Sequence, residues 1–188
     1  MATIEIVRFE VPAERAEPLV AGHEGARRAI DAVAPGWNWS RLGRFDECRW
    51  IEVVAWRDRA AFERAFEFAM NDPAVARWFD LADPGWTIEL GEPIEDAGDR
   101  PPQAGTMEVV TAPGGEESAL VATAEDDPAW SSLIALDGRV WRGDSWVRSA
   151  PGMARISVPA PEAPSARPSW AEVAVIAHSC DAASGASV

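Results

Sequence analysis

Few side chains in this 188-residue chain combine reactive chemistry with a placement that could use it, and nearly all fall in its first half. His23 lies on the stripe Ala16, Leu19, Val20, His23, Arg27, Ile30 and Val33 of a helix predicted over 13–33. A helix face turned toward a sheet would hold the imidazole inside, where its ordinary pKa of about 6.5 lets it take a proton from a phenol or enol. The same position also suits a hydrogen-bonded packing histidine. In "WNWSRLGRF", Trp37 and Trp39 share one strand phase with Trp56 of the next strand, and Asn38 points the other way. Flat indoles could stack on a fused aromatic ring, with Asn38 or Arg41 supplying a polar contact; equally, they could fill the layer between sheet and helices. Phe66 and Met70 would wall such a cavity, and Trp78 and Phe79 would close its mouth.

Other chemistries find no support. No phosphate-binding glycine loop, nucleophile elbow or HExxH helix occurs. Cys48 and Cys180 are isolated, so free thiols are expected rather than a disulfide framework or zinc site, and His178 beside Cys180 makes a poor metal site; no metal is predicted. The 31 acidic and 17 basic residues, every basic one an arginine, leave a net charge of −14 that disfavours nucleic acid and anionic lipid as partners. "MATIEIVRFE" is not a signal sequence and no apolar run is long enough to span a membrane, so a cytoplasmic location is expected.

These side chains need elements to hold them. "TIEIVRF" is a strand by its β-branched alternation, followed by the 13–33 helix, which Pro35-Gly36 ends. "WNWSRLGRF" and "RWIEVVAW" form a hairpin across "DECR"; a tight even-numbered turn would pair Phe45 with Trp50 and Trp39 with Trp56. Asp58 caps a helix over 59–70, "NDP" breaks it, a short helix carries Val75, Trp78 and Phe79, and "WTIEL" is the last strand. Strand, helix, strand, strand, helix, strand is the ferredoxin-like βαββαβ order, an α+β fold over residues 1–95.

"EDAGDRPPQAG" reads as a linker, set at 96–105, and residues 106–188 as a β-rich C-terminal region. "TMEVVTA", "SALVATA", "MARISVP" and "WAEVAVIAH" are strands, and Asp137-Gly138 signals a hairpin inside "SLIALDGRVW". "TMEVV" at 106 echoes "TIEIV" at 3, so the second half could be a degenerate second copy, giving an intrachain pseudo-dimer.

Over residues 3–95 the chain resembles the antibiotic biosynthesis monooxygenase-like branch of the dimeric α/β-barrel superfamily. The likeness rests on the element order, on "IEVVAWRDRAAFERAF", on the "NDPAVARWF" break and on "WTIELGEPIE". It implies a barrel formed between two sheets, in a homodimer or within one chain, and a ligand cavity between helices and sheet. It also implies an oxygenase of a polycyclic aromatic, polyketide-like phenol or quinol in secondary metabolism, taking dioxygen and an aromatic small molecule, without cofactor or assisted by reduced flavin. On that reading His23 is the base, Trp39 and Trp56 are aromatic walls, and Asn38 or Arg41 steadies the anion. Heme degraders in the superfamily share the Trp56 position, but the first-strand asparagine and the second-helix histidine that hold heme have no counterpart here, so heme is not expected. A non-catalytic binding or interaction domain, and a non-oxidative cyclase or isomerase using the same pocket, remain alternatives.

Overall fold

The computed structural model describes residues 1–94, 108–113, 128–142, 145–149 and 151–159. β1 (Thr3–Glu10) leads through a 3-10 turn (Ala13–Arg15) into α1 (Ala16–Val33). β2 (Trp37–Arg44) and β3 (Arg49–Trp56) follow, then α2 (Arg59–Asn71), α3 (Pro73–Phe79) and β4 (Thr87–Pro93). The four strands lie antiparallel in the order β2-β3-β1-β4, so the first half has the α+β, ferredoxin-like architecture expected from its sequence.

Local chemistry explains the helices. Pro18 falls in the first turn of α1, where a missing N–H breaks no intrahelical bond. α1 buries Leu19, Arg27 and Ile30, while Val20 and Val33, at the edges of the expected stripe, are exposed. The Asp58 carboxylate caps α2 by accepting from the Ala61 N–H at 2.7 Å, and Asp72 does the same for Val75 of α3 at 3.0 Å. A methyl at Gly22 would lie 2.8 Å from Cδ1 of Trp78, so this glycine lets α1 and α3 approach. The buried Trp78 indole also donates to the Leu19 carbonyl at 3.0 Å.

The β2–β3 register differs from the even-turn expectation. The Phe45 N–H bonds to the Arg49 carbonyl at 2.9 Å, leaving an odd tip of Asp46, Glu47 and Cys48 in which Asp46 Oδ1 accepts from the Cys48 and Arg49 N–H groups. The pairing slips by one: Arg44 faces Trp50 and Trp39 faces Ala55. A bulge at Asn38 then sets Trp37 opposite Trp56, so Trp37 and Trp39 point to opposite faces instead of sharing one. Cys48, expected as a free thiol, is disulfide-bonded. Cys180 and His178 lie outside the described residues, as do the 96–105 linker and the strands expected over 118–124 and 170–178.

The second half extends the same sheet. β5 (Glu108–Pro113), β6 (Pro128–Arg142), β7 (Ser145–Arg148) and β8 (Gly152–Pro159) continue from β4 in the order β6-β8-β5, with β7 paired to the end of β6. Asp137-Gly138 is not a hairpin tip: β6 runs straight through it. Gly138 takes φ +71° there, Asp137 Oδ1 accepts from the Arg139 N–H at 2.9 Å, and the pairing with β4 jumps from Glu89↔Val140 to Gly91↔Leu136.

Two cores result. Between helices and sheet lie Val7, Phe9, Leu19, Ile30, Val54, Trp56, Phe62 and Leu90, joined by Trp141 of β6. On the opposite face Ile4, Ile6, Trp39, Ile51, Val53 and Ala55 pack with Val109, Ile134, Ala154 and Ile156, so the second-half strands cover the back of the first-half sheet. With a core on each side, β1 and β3 are buried along nearly their whole length, as doubly covered strands are.

Candidate functional site

The helix-facing row of β1 is Thr3, Glu5, Val7, Phe9, and that of β3 is Trp50, Glu52, Val54, Trp56. Each row thus carries one carboxylate among apolar neighbours, and α1 lays Arg27 and His23 over them. Arg27 grips Glu52 side-on: Nε donates to Oε1 at 2.6 Å and Nη2 donates to Oε2. The His23 Nε2–H donates to the same Oε1 at 2.6 Å. Trp56 Nε1–H donates to Glu5 Oε2 at 2.9 Å. Glu5, Arg27 and Glu52 are all buried, and five polar side chains from β1, β3 and α1 converge between sheet and helix.

Their environments drive the two carboxyls apart. Burial pushes Glu5 up from 4.5 to about 7; Arg27 and the Trp56 N–H pull it down and the negative Glu52 pushes it further up. Burial acts on Glu52 in the same sense, but there the Arg27 charge and the hydrogen bonds from His23 and Arg27 prevail, and it falls to about 2. Arg27 is raised: burial opposes its charge, and Glu52 and Glu5 more than offset that. Glu52 therefore stays ionised as the partner of Arg27, and Glu5 is left to change protonation near neutral pH. A carboxyl with that proton affinity in an apolar site can serve as general base and then return the proton as general acid.

Glu5 and Arg27 also line a cavity, with Trp56, Phe62, Phe66, Phe79 and Trp86 among its walls. Met70, 45% exposed, stands at its mouth. The cavity is narrow, about 20 Å³, room for roughly one ordered water. A fused-ring ligand enters only if a wall side chain turns away. Behind the wall, Trp141 meets the Phe66 ring edge-on at 5.1 Å and lies 6.4 Å from Trp86, and Trp146 of β7 packs beside it at 5.8 Å.

The chain shares the fold of an anthrone oxidase-like protein. That solved structure is 11% identical, the match covers 85% of this chain and 73% of the other, and the TM-score is 0.54. SnoaB, a cofactor-independent oxygenase from Streptomyces nogalater, is 20% identical over 52% of this chain and 98% of its own, with a TM-score of 0.41. Rv0793 from Mycobacterium tuberculosis is 16% identical over 52% of this chain and 100% of its own, also at 0.41. No protein-family model and no curated protein matches the chain.

The structure gathers some of the residues singled out by sequence and disperses others. Trp56, Phe66, Met70 and Phe79 line the cavity. Trp37 packs against the helix-side core, and Trp78 lies between α1 and α3, lining a separate small cleft with Val7, Phe9 and Leu19. Trp39 and Arg41 belong to the opposite face, and Asn38, on the bulge, is exposed. His23 faces inward as expected, yet its Nε2 is committed to Glu52 and it does not line the cavity. Glu5 and Glu52 were missed, and Arg27 was counted only as part of the helix stripe. A signal existed: "TIEIV" and "WIEVV" each put one acid in the inward phase of a strand, and Arg27 follows His23 by four residues on the inward face of α1.

Proposed function

We propose that this cavity binds an aromatic phenol, quinol or anthrone-like molecule and oxygenates it with dioxygen. The observation that carries the reading is Glu5, a buried carboxyl with a pKa of about 7 on the wall of an aromatic cavity beside the Arg27 guanidinium. The Glu5 carboxylate takes the acidic proton of the substrate, and Arg27 offsets the charge that develops on the substrate oxygen. The electron-rich anion passes one electron to dioxygen, the radical pair joins as a peroxide, and Glu5-H returns its proton to the terminal oxygen. Cleavage of the O–O bond with loss of the second C–H proton converts a ring CH2 to C=O and releases water. Electrons come from the substrate, so these steps call for no metal. Heme held by a histidine is disfavoured, because His23, the one histidine among the described residues, is tied to Glu52.

We further hold the second half to be a degenerate copy that replaces a partner subunit. Its sheet order β6-β8-β5 repeats β2-β3-β1, and its strands cover the face on which a second subunit would otherwise pack. The narrowness of the cavity favours one other reading, a non-catalytic binding or interaction domain. A cyclase or isomerase would need the same Glu5 but no oxygen.

Oxygen uptake with anthrone and with 1-naphthol, with and without reduced flavin, separates these readings. The anthrone oxidase-like protein of shared fold makes anthrone the first substrate to try. The expected result is uptake without flavin, an oxygenated product one oxygen heavier and two hydrogens lighter, and loss of activity in Glu5→Gln. Conversion without uptake points to a cyclase or isomerase; binding without conversion points to a binding domain; neither binding nor conversion sinks the proposal.

A further inference from the structure

Phe66 sits where a ligand ring would have to go. It stacks on Phe62 at 5.6 Å and 28°, makes a T-shaped contact with Trp141 at 5.1 Å and 77°, and leans on Trp146 at 6.1 Å, while also forming part of the cavity wall. Although it has this aromatic company, it is only partly buried and lies next to Met70 at the mouth, in the same cavity lining. Behind it the Trp141 side chain is 8% exposed, and its indole Nε1–H is buried with no hydrogen-bond partner. A buried donor left unpaired is costly, typically about 1–3 kcal/mol; Trp37 and Trp50 also keep unpaired indole donors, and what sets Trp141 apart is its ring contact with Phe66 and Trp86 of the cavity lining.

We propose that Phe66 is a built-in plug occupying the place of a ligand ring, and that Trp141 is a ligand-recognition residue contributed by the second half of the chain. When Phe66 turns out toward the mouth, the space between Phe62 and Trp141 receives an aromatic ring, and the Trp141 N–H donates to a carbonyl oxygen on it. This deepens the reading of the same cavity given above. The ligand class it selects is a fused aromatic ketone, recognised at the carbonyl by Trp141 while its acidic hydrogen meets Glu5. The second half thereby decides which ligand is accepted, and the first half supplies the base.

The test needs no turnover, so its failure and the failure of the oxygenase reading are distinguishable. Phe66→Ala removes the plug. Calorimetric titration of this variant with 1-tetralone and with tetralin compares two molecules of one shape that differ by a carbonyl. The expected result is that both bind, and that tetralone binds about 2- to 10-fold more tightly, as one hydrogen bond allows. Adding Trp141→Phe, which keeps a ring and removes the donor, should bring the ratio to about one and leave tetralin binding unchanged. A ratio that survives Trp141→Phe overturns the recognition role. Failure of a folded Phe66→Ala protein, checked by its melting curve, to bind either molecule overturns the plug. Should that variant not fold, Phe66→Val provides the smaller opening and is read in the same way.

Discussion

Replacing Glu5 by glutamine should stabilise the protein, and the gain should depend on pH in a direction fixed by the site. Glu5 titrates at about 7 in the folded protein against 4.5 ordinarily, so the folded state holds its proton more tightly than the unfolded chain does. Its contribution is fully present below about pH 4.5, is lost as pH rises through about 7, and then levels off. A displacement of that size corresponds to about 3 kcal/mol once complete, at about 1.4 kcal/mol per pH unit. Glutamine is nearly the same shape, can still accept from the Trp56 N–H, and has no charge to bury. At about pH 8 the variant should therefore exceed the parent by roughly 2–3 kcal/mol, and at about pH 5 by less than about 1 kcal/mol. For a chain of this length the larger figure corresponds to a rise in Tm of about 4–12 °C. Urea unfolding of both proteins across this pH range measures the difference, and the general repulsion of a chain with net charge −14 nearly cancels between them. A gap between the two proteins that stays constant with pH, or shrinks as pH rises, would refute the assignment of Glu5 as a buried carboxyl titrating near neutrality.

Further outcomes follow from the same geometry. Glu52→Ala leaves the Arg27 charge buried without its ion-pair partner and should cost about 3–5 kcal/mol in urea unfolding at neutral pH. Because Glu52 titrates at about 2 in the folded protein, its contribution is present above about pH 4.5 and fades as pH falls through about 2, so acid unfolding should be less steep in this variant than in the parent. Gly91→Ala would place a methyl 2.5 Å from both the Ala135 carbonyl oxygen and Ile134 Cγ2. It should destabilise by about 1–3 kcal/mol or more, with faster amide exchange first at the β4–β6 pairing that joins the halves, read by hydrogen-exchange mass spectrometry. Asp58→Ala removes the cap of α2 and should cost about 1 kcal/mol by thermal melting, with little effect on ligand binding at the cavity.

Local pattern was enough for much of the first half. The β-branched alternation of β1, the proline and glycine around α1, the Asp58 cap and the "NDP" break fix those elements where the sequence puts them, because each signal acts within a few residues of the backbone it shapes. The inward phase of β3 likewise carried Trp56 to the cavity it was expected to line. Tertiary structure decided the rest. The three-residue tip of the β2–β3 turn shifts the register by one and turns Trp39 to the back face, and the bulge at Asn38 shifts it by one more and returns Trp37 to the helix side, because each one-residue slip turns a side chain to the other face of a sheet. Asp137-Gly138 has the local chemistry of a turn, yet β6 passes through it because pairing with β4 and β8 on either side outweighs that preference. The site itself is the furthest from local legibility. Glu5 and Glu52 are alike in the sequence, each an acid within a β-branched strand; burial lifts Glu5 to about 7, whereas the placement of Arg27 and His23 by α1 outweighs the same burial at Glu52 and draws it to about 2. Proton affinity depends on burial and on charges a few ångströms away, and those distances exist only once residues far apart in the chain have been folded onto one another.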